Sequence, residues 1–84
     1  MDGLEADVEA LLFRHDPIGI NFEHNTDEYG PEARTIVPRL AEAATESDLR
    51  RIIHEEFTHW FSADIAGPVD RYAEIAREVW QLTH

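Results

Sequence analysis

The sequence predicts an all-α fold, a small bundle of three to four short helices around one core, and three observations carry that prediction. Apolar residues recur at intervals of three and four along most of the chain, the period of a helix with one buried face. The interruptions fall at proline, glycine and small capping residues, which are helix boundaries for defined steric reasons. The one stretch with β character, Ile18 to Phe22, is short and broken by Gly19. Residues 1–84 are read as a single domain, since a chain of this size removes only about 60 to 65% of its unfolded surface from water and cannot support two cores. The 43% apolar content is ordinary for a folded domain and argues against disorder.

The first helix is expected over about Asp2 to Arg14, with Leu4, Val8, Leu11 and Leu12 on one stripe. Its early acids suit the positive end of the helix dipole, and Arg14 and His15 suit the negative end. Asp16-Pro17 ends it, because the residue before a proline is pushed out of the helical region. A loop then runs to about Thr26, and a second helix begins near Asp27 to Pro31, with Asp27 available as its cap and Ala33, Ile36, Val37, Leu40, Ala41 and Ala44 as its apolar set. Pro38 lies inside that set, so a kink or break is expected there.

Thr45 or Ser47 caps a third helix that runs to about Phe61 and carries Leu49, Ile52, Ile53, Phe57, Trp60 and Phe61, the best candidate for the core helix. Ser62 to Gly67 is read as a connection, and Pro68 as the opening of a fourth helix with Val69, Tyr72, Ala73, Ala76, Val79 and Trp80. Ile75 and Leu82 widen that stripe, which implies burial on more than one side.

Eighteen acids against seven bases give a formal charge of −11. Nucleic acid would be repelled, because its binders release counterions through Lys and Arg. A basic protein would be attracted, although acidic surfaces also serve solubility alone. All seven bases are arginine, which points either to coding bias or to planar, bidentate pairing. Without cysteine there is no disulfide, thiolate metal site or thiol nucleophile. The N-terminus lacks the pattern of a secretory signal and no apolar run reaches membrane-spanning length, so a cytoplasmic location and no membrane partner are expected.

Motifs for chemistry are weak. His54 and His59 are five apart, and at 100° per residue their rings diverge by about 140°, whereas a helical zinc pair needs a spacing of four. The loop Asn21 to Glu32 places oxygen donors much as a calcium loop does, but Thr26 stands where the sharp turn requires glycine. No nucleophile elbow or phosphate-binding glycine loop occurs. The expectation is a protein that is not an enzyme and has no metal or cofactor. On the third helix Glu56 and Arg50 intrude on the apolar stripe. Either their heads reach water or a partner on a neighbouring helix, or Glu56 faces a groove that receives a partner's cation.

Asp16-Pro17-Ile18-Gly19-Ile20, then Asp27-Glu28-Tyr29, then Ile36 and Leu40, resemble an uncharacterised family of small bacterial helical proteins. Its members read (Trp)-Asp-Pro-Ile-Gly, a variable stretch, then Asp-Glu-Tyr-Asp. The resemblance runs close to full length, with departures at His15, Gly30 and Pro38. It implies an all-α fold and no established activity. By size and charge alone such proteins are similar to immunity or toxin-neutralising partners.

Two readings of these residues stand side by side. Asp16, Pro17 and Gly19 form a rigid corner between the first two helices, or the loop is a recognition surface. The leading expectation is a non-enzymatic acidic interaction module, an immunity or inhibitor protein for a basic partner, with Glu23, Asp27, Glu28, Tyr29, Glu55 and Glu56 at the interface. The alternative is a small metal- or ligand-binding domain built on loop 21–32. Self-association through Trp60, Trp80, Phe57 and Phe61 is a third route, since a small core has limited room for aromatic rings.

Overall fold

A computed structural model describes residues 3–15 and 29–83 of the chain. Among these residues every regular element is helical: α1 (Gly3–His15), α2 (Gly30–Ile36), a 3-10 helix (Val37–Glu42), α3 (Glu46–Trp60), α4 (Ala63–Ala66), a second 3-10 helix (Val69–Tyr72) and α5 (Ala73–Thr83). None of the described helices is long and apolar enough to cross a membrane.

The helix α3 is the axis of the assembly, packing on α5, α4, α2 and both 3-10 helices, while α1 closes the bundle against α2 and α5. Its apolar spacing accounts for this position. Leu49, Ile52, Ile53 and Phe57 are all buried on one face. Its start is fixed at Thr45, whose hydroxyl accepts from the Asp48 amide, while the Asp48 carboxylate accepts from the Ala44 amide. The first bond satisfies a donor that the opening helical turn leaves free, and the second ties the residue before the cap to the same turn.

Phe57 is the centre of the core. Its ring lies 5.9 Å from Tyr29, 5.1 Å from Tyr72 and 5.9 Å from Phe61. Leu11 and Leu12 of α1, Ile36 of α2 and Ile75, Ala76 and Val79 of α5 belong to the same buried cluster.

Three boundaries take their final form from the structure. First, α2 begins at Gly30 with Tyr29 in the cap position and no side-chain cap bond, so Asp27 does not occupy that position; Pro31 sits in the first turn as expected. Second, the disturbance expected at Pro38 is present and takes the form of a change of helix type: α2 ends at Ile36 and the chain tightens directly into a 3-10 helix, with Val37 still in helical conformation. A 3-10 turn holds three residues and closes bonds one residue sooner, so it absorbs a proline whose ring and missing amide would disrupt an α turn. Third, the segment read as a connection contains the one-turn helix α4, and Pro68 caps a 3-10 helix rather than opening α5.

The α4 turn is held from several sides. Ser62 caps it by accepting from the Ile65 amide, at φ 139° and ψ 163°, a conformation that side chains other than glycine's resist. Gly67 ends it at φ 78°. The Tyr72 hydroxyl donates to the Ala66 carbonyl at 2.6 Å, His54 Nε2 donates to the Gly67 carbonyl at 2.9 Å, and Arg71 Nη1 donates to the carbonyls of Ile65 and Ala66. A Cβ on Gly67 would lie 2.6 Å from the Arg71 guanidinium carbon and would also adopt a left-handed backbone.

Two substitutions separate these effects in a thermal melt. Gly67→Ala is expected to cost about 1 to 2 kcal/mol, or roughly 4 to 16 °C in a domain of this size. Ser62→Gly removes the strain with the cap and is expected to change stability by less than about 0.5 kcal/mol, since glycine is only a few tenths poorer as a cap.

Candidate functional site

The densest group of charges lies where the first 3-10 helix meets α3. Pro38 enforces the tighter turn, and three residues per turn in place of 3.6 re-aims the side chains that follow it. Arg39 is thereby presented to α3. Its Nη1 donates to Glu56 Oε2 and its Nη2 to Glu55 Oε1, each at 2.9 Å, and its Nε reaches Glu42 Oε1 at 3.3 Å. The other oxygen of Glu55 accepts from Arg51 Nη1 at 3.0 Å, one turn earlier on α3, and Arg51 also stands 4.0 Å from Asp48.

The Arg39 side chain is 26% exposed and Glu56 15%, so this is a half-buried cluster in which each charge-assisted bond is worth more than on open surface. The hydrogen bonds to Glu55 and then Glu56 push the Arg39 guanidinium above its ordinary value, against desolvation. Glu55 is held below the usual carboxylate range, chiefly by its bond from Arg39, with Arg51 adding to it. Bonded to two glutamates of α3 and one on its own helix, Arg39 clamps the 3-10 helix onto α3.

This geometry revises how the expected interface residues are read. Glu56 does face a cation, and the cation, Arg39, belongs to the chain itself. Glu55 remains 44% exposed but both of its oxygens are engaged by arginine. Tyr29 is fully buried against Phe57 and is part of the core rather than an accessible contact. Glu23, Asp27, Glu28, Asp16, Pro17 and Gly19 lie outside the described residues, as does the calcium-like loop up to Glu28. Glu32, the last position of that loop, is buried in α2.

The other aromatic and imidazole groups are mostly structural. His54 is fixed by the Gly67 carbonyl and lies 5.8 Å from the Tyr72 ring, while His59 stands edge-on to Trp60. Of the four rings considered for self-association, Phe57 is buried, Phe61 and Trp80 are half-buried, and only Trp60 is substantially exposed, with its indole donating to Thr35 at 3.1 Å.

A second ion-pair group joins α1 to α5. Glu78 accepts from Arg14 and stands 3.1 Å from His15 Nε2. Burial pulls the Glu78 carboxyl upward, but the hydrogen bond from His15 and the charges of His15 and Arg14 outweigh it and hold the group below its ordinary value. Nothing in the sequence marked Arg39 or Glu78 in advance. Arg39 lies 16 and 17 residues from its main partners and Glu78 more than 60 from its own, beyond any local pattern.

With these pairs formed, acids predominate in the charge that remains among the described residues. Among the described residues Glu5, Asp7, Glu9, Glu46 and Asp64 make no ion pair with an arginine. Comparison with family models, curated proteins and solved structures finds no match to this chain.

Arg39→Met retains the apolar stem and removes the clamp. At pH 7 it is expected to cost about 1 to 3 kcal/mol, because Glu56 is left as a largely buried carboxylate without its cation. Glu55 has a depressed folded-state pKa, so its contribution is present above the unfolded glutamate value and is lost as pH falls through the folded one. The gap in melting temperature between wild type and Arg39→Met should therefore narrow as pH is lowered below about 4.5. A gap that stays constant from pH 7 to pH 3 would show that the ion pairs do not stabilise the fold.

Proposed function

We propose that this chain is a non-enzymatic acidic interaction module that binds a basic protein, as an immunity or inhibitor protein does. The observation that carries the reading is the disposition of its arginines. Arg14, Arg39, Arg50, Arg51 and Arg77 each lie within ion-pair distance of at least one carboxylate, and Arg71 donates to backbone carbonyls. Arg14, Arg39 and Arg50 pair between elements and Arg51 and Arg77 within their own helices, so most cations among the described residues already face a carboxylate, while Glu5, Asp7, Glu9, Glu46 and Asp64 have no arginine of their own. The field of a −11 chain speeds encounter with a basic surface and disfavours like-charged competitors.

Glu5 and Glu9 are one helical turn apart on α1, and a Glu9 oxygen comes close to Gly30, at the start of α2. Asp27 and Glu28 immediately precede Tyr29 in the sequence. This end of α1 is where the reading places the docking face, in preference to Glu55 and Glu56, whose oxygens Arg39 engages. The resemblance to small bacterial helical proteins, carried by Asp16-Pro17-Ile18-Gly19 and Asp27-Glu28-Tyr29, fits the same reading, as does a cytoplasmic setting. The competing function is metal binding by loop 21–32, which its spacing of oxygen donors favours.

Capture of partners at low salt, followed by affinity measurement with the purified partner, tests the proposal. A basic partner is expected, with affinity falling as salt rises and association slowed severalfold by Glu5→Gln with Glu9→Gln while the melting temperature holds. Recovery of no basic partner, or an affinity indifferent to salt, overturns it. Calorimetry with calcium that shows heat of binding and a raised melting temperature would favour the metal-binding function instead.

A further inference from the structure

One face of α1 is not used by the core. Val8, Leu11 and Leu12 are buried, whereas Gly3, Ala6, Asp7, Ala10 and Arg14 are all exposed. These positions follow a spacing of three and four and so form a continuous stripe along the helix. Asp7 and Arg14 sit on it with opposite charge, seven residues or about 10.5 Å apart, and Ala10 lies between them.

Beside that stripe, between α1 and α5, runs an open groove of about 600 Å³. Its charged walls are Asp7 and Glu78 against Arg14 and Arg77, and Leu82 stands on its edge at 45% exposure. Two carboxylates and two guanidinium groups balance to zero. On a chain of net −11, this is a face that a second, equally acidic copy can approach without meeting a local excess of its own charge.

The charge order also selects the occupant. An isologous pair requires a surface complementary to itself, so that residue i meets j and j meets i. If two α1 helices cross antiparallel at Ala10, Asp7 of each copy faces Arg14 of the other. The small side chain at the crossing point allows close approach, and Leu82 is brought out of water. A uniformly basic partner would instead meet Arg14 and Arg77 here. We propose that the groove between α1 and α5 is a pairing surface for a second copy of this chain, with α1 antiparallel to its counterpart.

The groove is lined by eight residues, against roughly 20 to 30 per side in a standard interface. Pairing is therefore weak, and long-range repulsion between the copies is limited to about 8 Å by physiological salt. It is independent of the proposed docking of a basic protein. Glu5 and Glu9 project from the other flank of α1, with Glu9 about 160° around the helix from Asp7.

Sedimentation equilibrium at up to about a millimolar in physiological salt tests the pairing. Wild type is expected to exceed the monomer mass as concentration rises. Asp7→Arg and Arg14→Asp, each alone, place like charges opposite one another twice and should weaken association by tenfold or more. An equimolar mixture of the two variants presents opposite charges at both contacts and should associate again. Because Arg14→Asp also removes the bond to Glu78, Ala10→Arg gives a second disruption at an exposed position with no part in that pair. Helical circular dichroism confirms that each variant is folded. A wild type that stays monomeric, folded variants that associate like wild type, or a mixture that remains monomeric overturns the proposal.

Discussion

The burial of Phe57 between Tyr29 and Tyr72 organises this protein. Each ring comes from a different segment: Phe57 from the middle of α3, Tyr29 from the cap of α2, and Tyr72 from the end of the second 3-10 helix. Aromatic rings bury more area per residue than any other side chain, and offset or tilted contacts add about 0.5 to 1.5 kcal/mol per pair. In a domain this small such contacts are a large part of the margin over conformational entropy. They also determine where polar groups can go. The Tyr72 hydroxyl must find an acceptor once its ring is buried, and burial raises its pKa against the nearby charge of Arg71. It finds that acceptor in the Ala66 carbonyl, which ties the α4 turn to the core.

Around this centre, arginine does the work that apolar contacts cannot. The first 3-10 helix has no fully buried residue of its own, and Val37 and Leu40 are only half covered. Its attachment to α3 depends correspondingly on Arg39, whose planar head reaches two glutamates on successive positions of α3 and a third on its own helix. A lysine could supply the charge but not three directed bonds from one rigid fork. The same chemistry, through Arg14 and Glu78, fastens the end of α1 to α5. Arginine without lysine thus matches what the fold requires, whatever its origin in the coding sequence.

These commitments shape function. Arg39 is taken up by Glu42, Glu55 and Glu56, and both oxygens of Glu55 are taken up by arginine in turn, which leaves that cluster little capacity for an outside ligand. The two proposed surfaces accordingly lie at the periphery, Glu5 and Glu9 on one flank of α1 and the charge-balanced groove toward α5 on the other. In the most polar stretch of α3 the acids are held by the chain's own arginines. Glu55 and Glu56 are the most conspicuous acids there, and they are also the ones most fully engaged.

The sequence by itself determined the helical class, the burial of α3 through Leu49, Ile52, Ile53 and Phe57, a cap at Thr45 or Ser47 and the disturbance at Pro38, because each follows from forces between residues a few positions apart. Periodicity, capping and proline geometry are local, and they leave a local record. Only the tertiary structure decided that Pro38 produces a 3-10 helix, that Tyr29 lies in the core, that α4 forms within a presumed connection, and that Arg39 claims Glu55 and Glu56. Those outcomes depend on which surfaces meet when the helices pack, and a linear pattern does not encode the distance between side chains that the fold brings together.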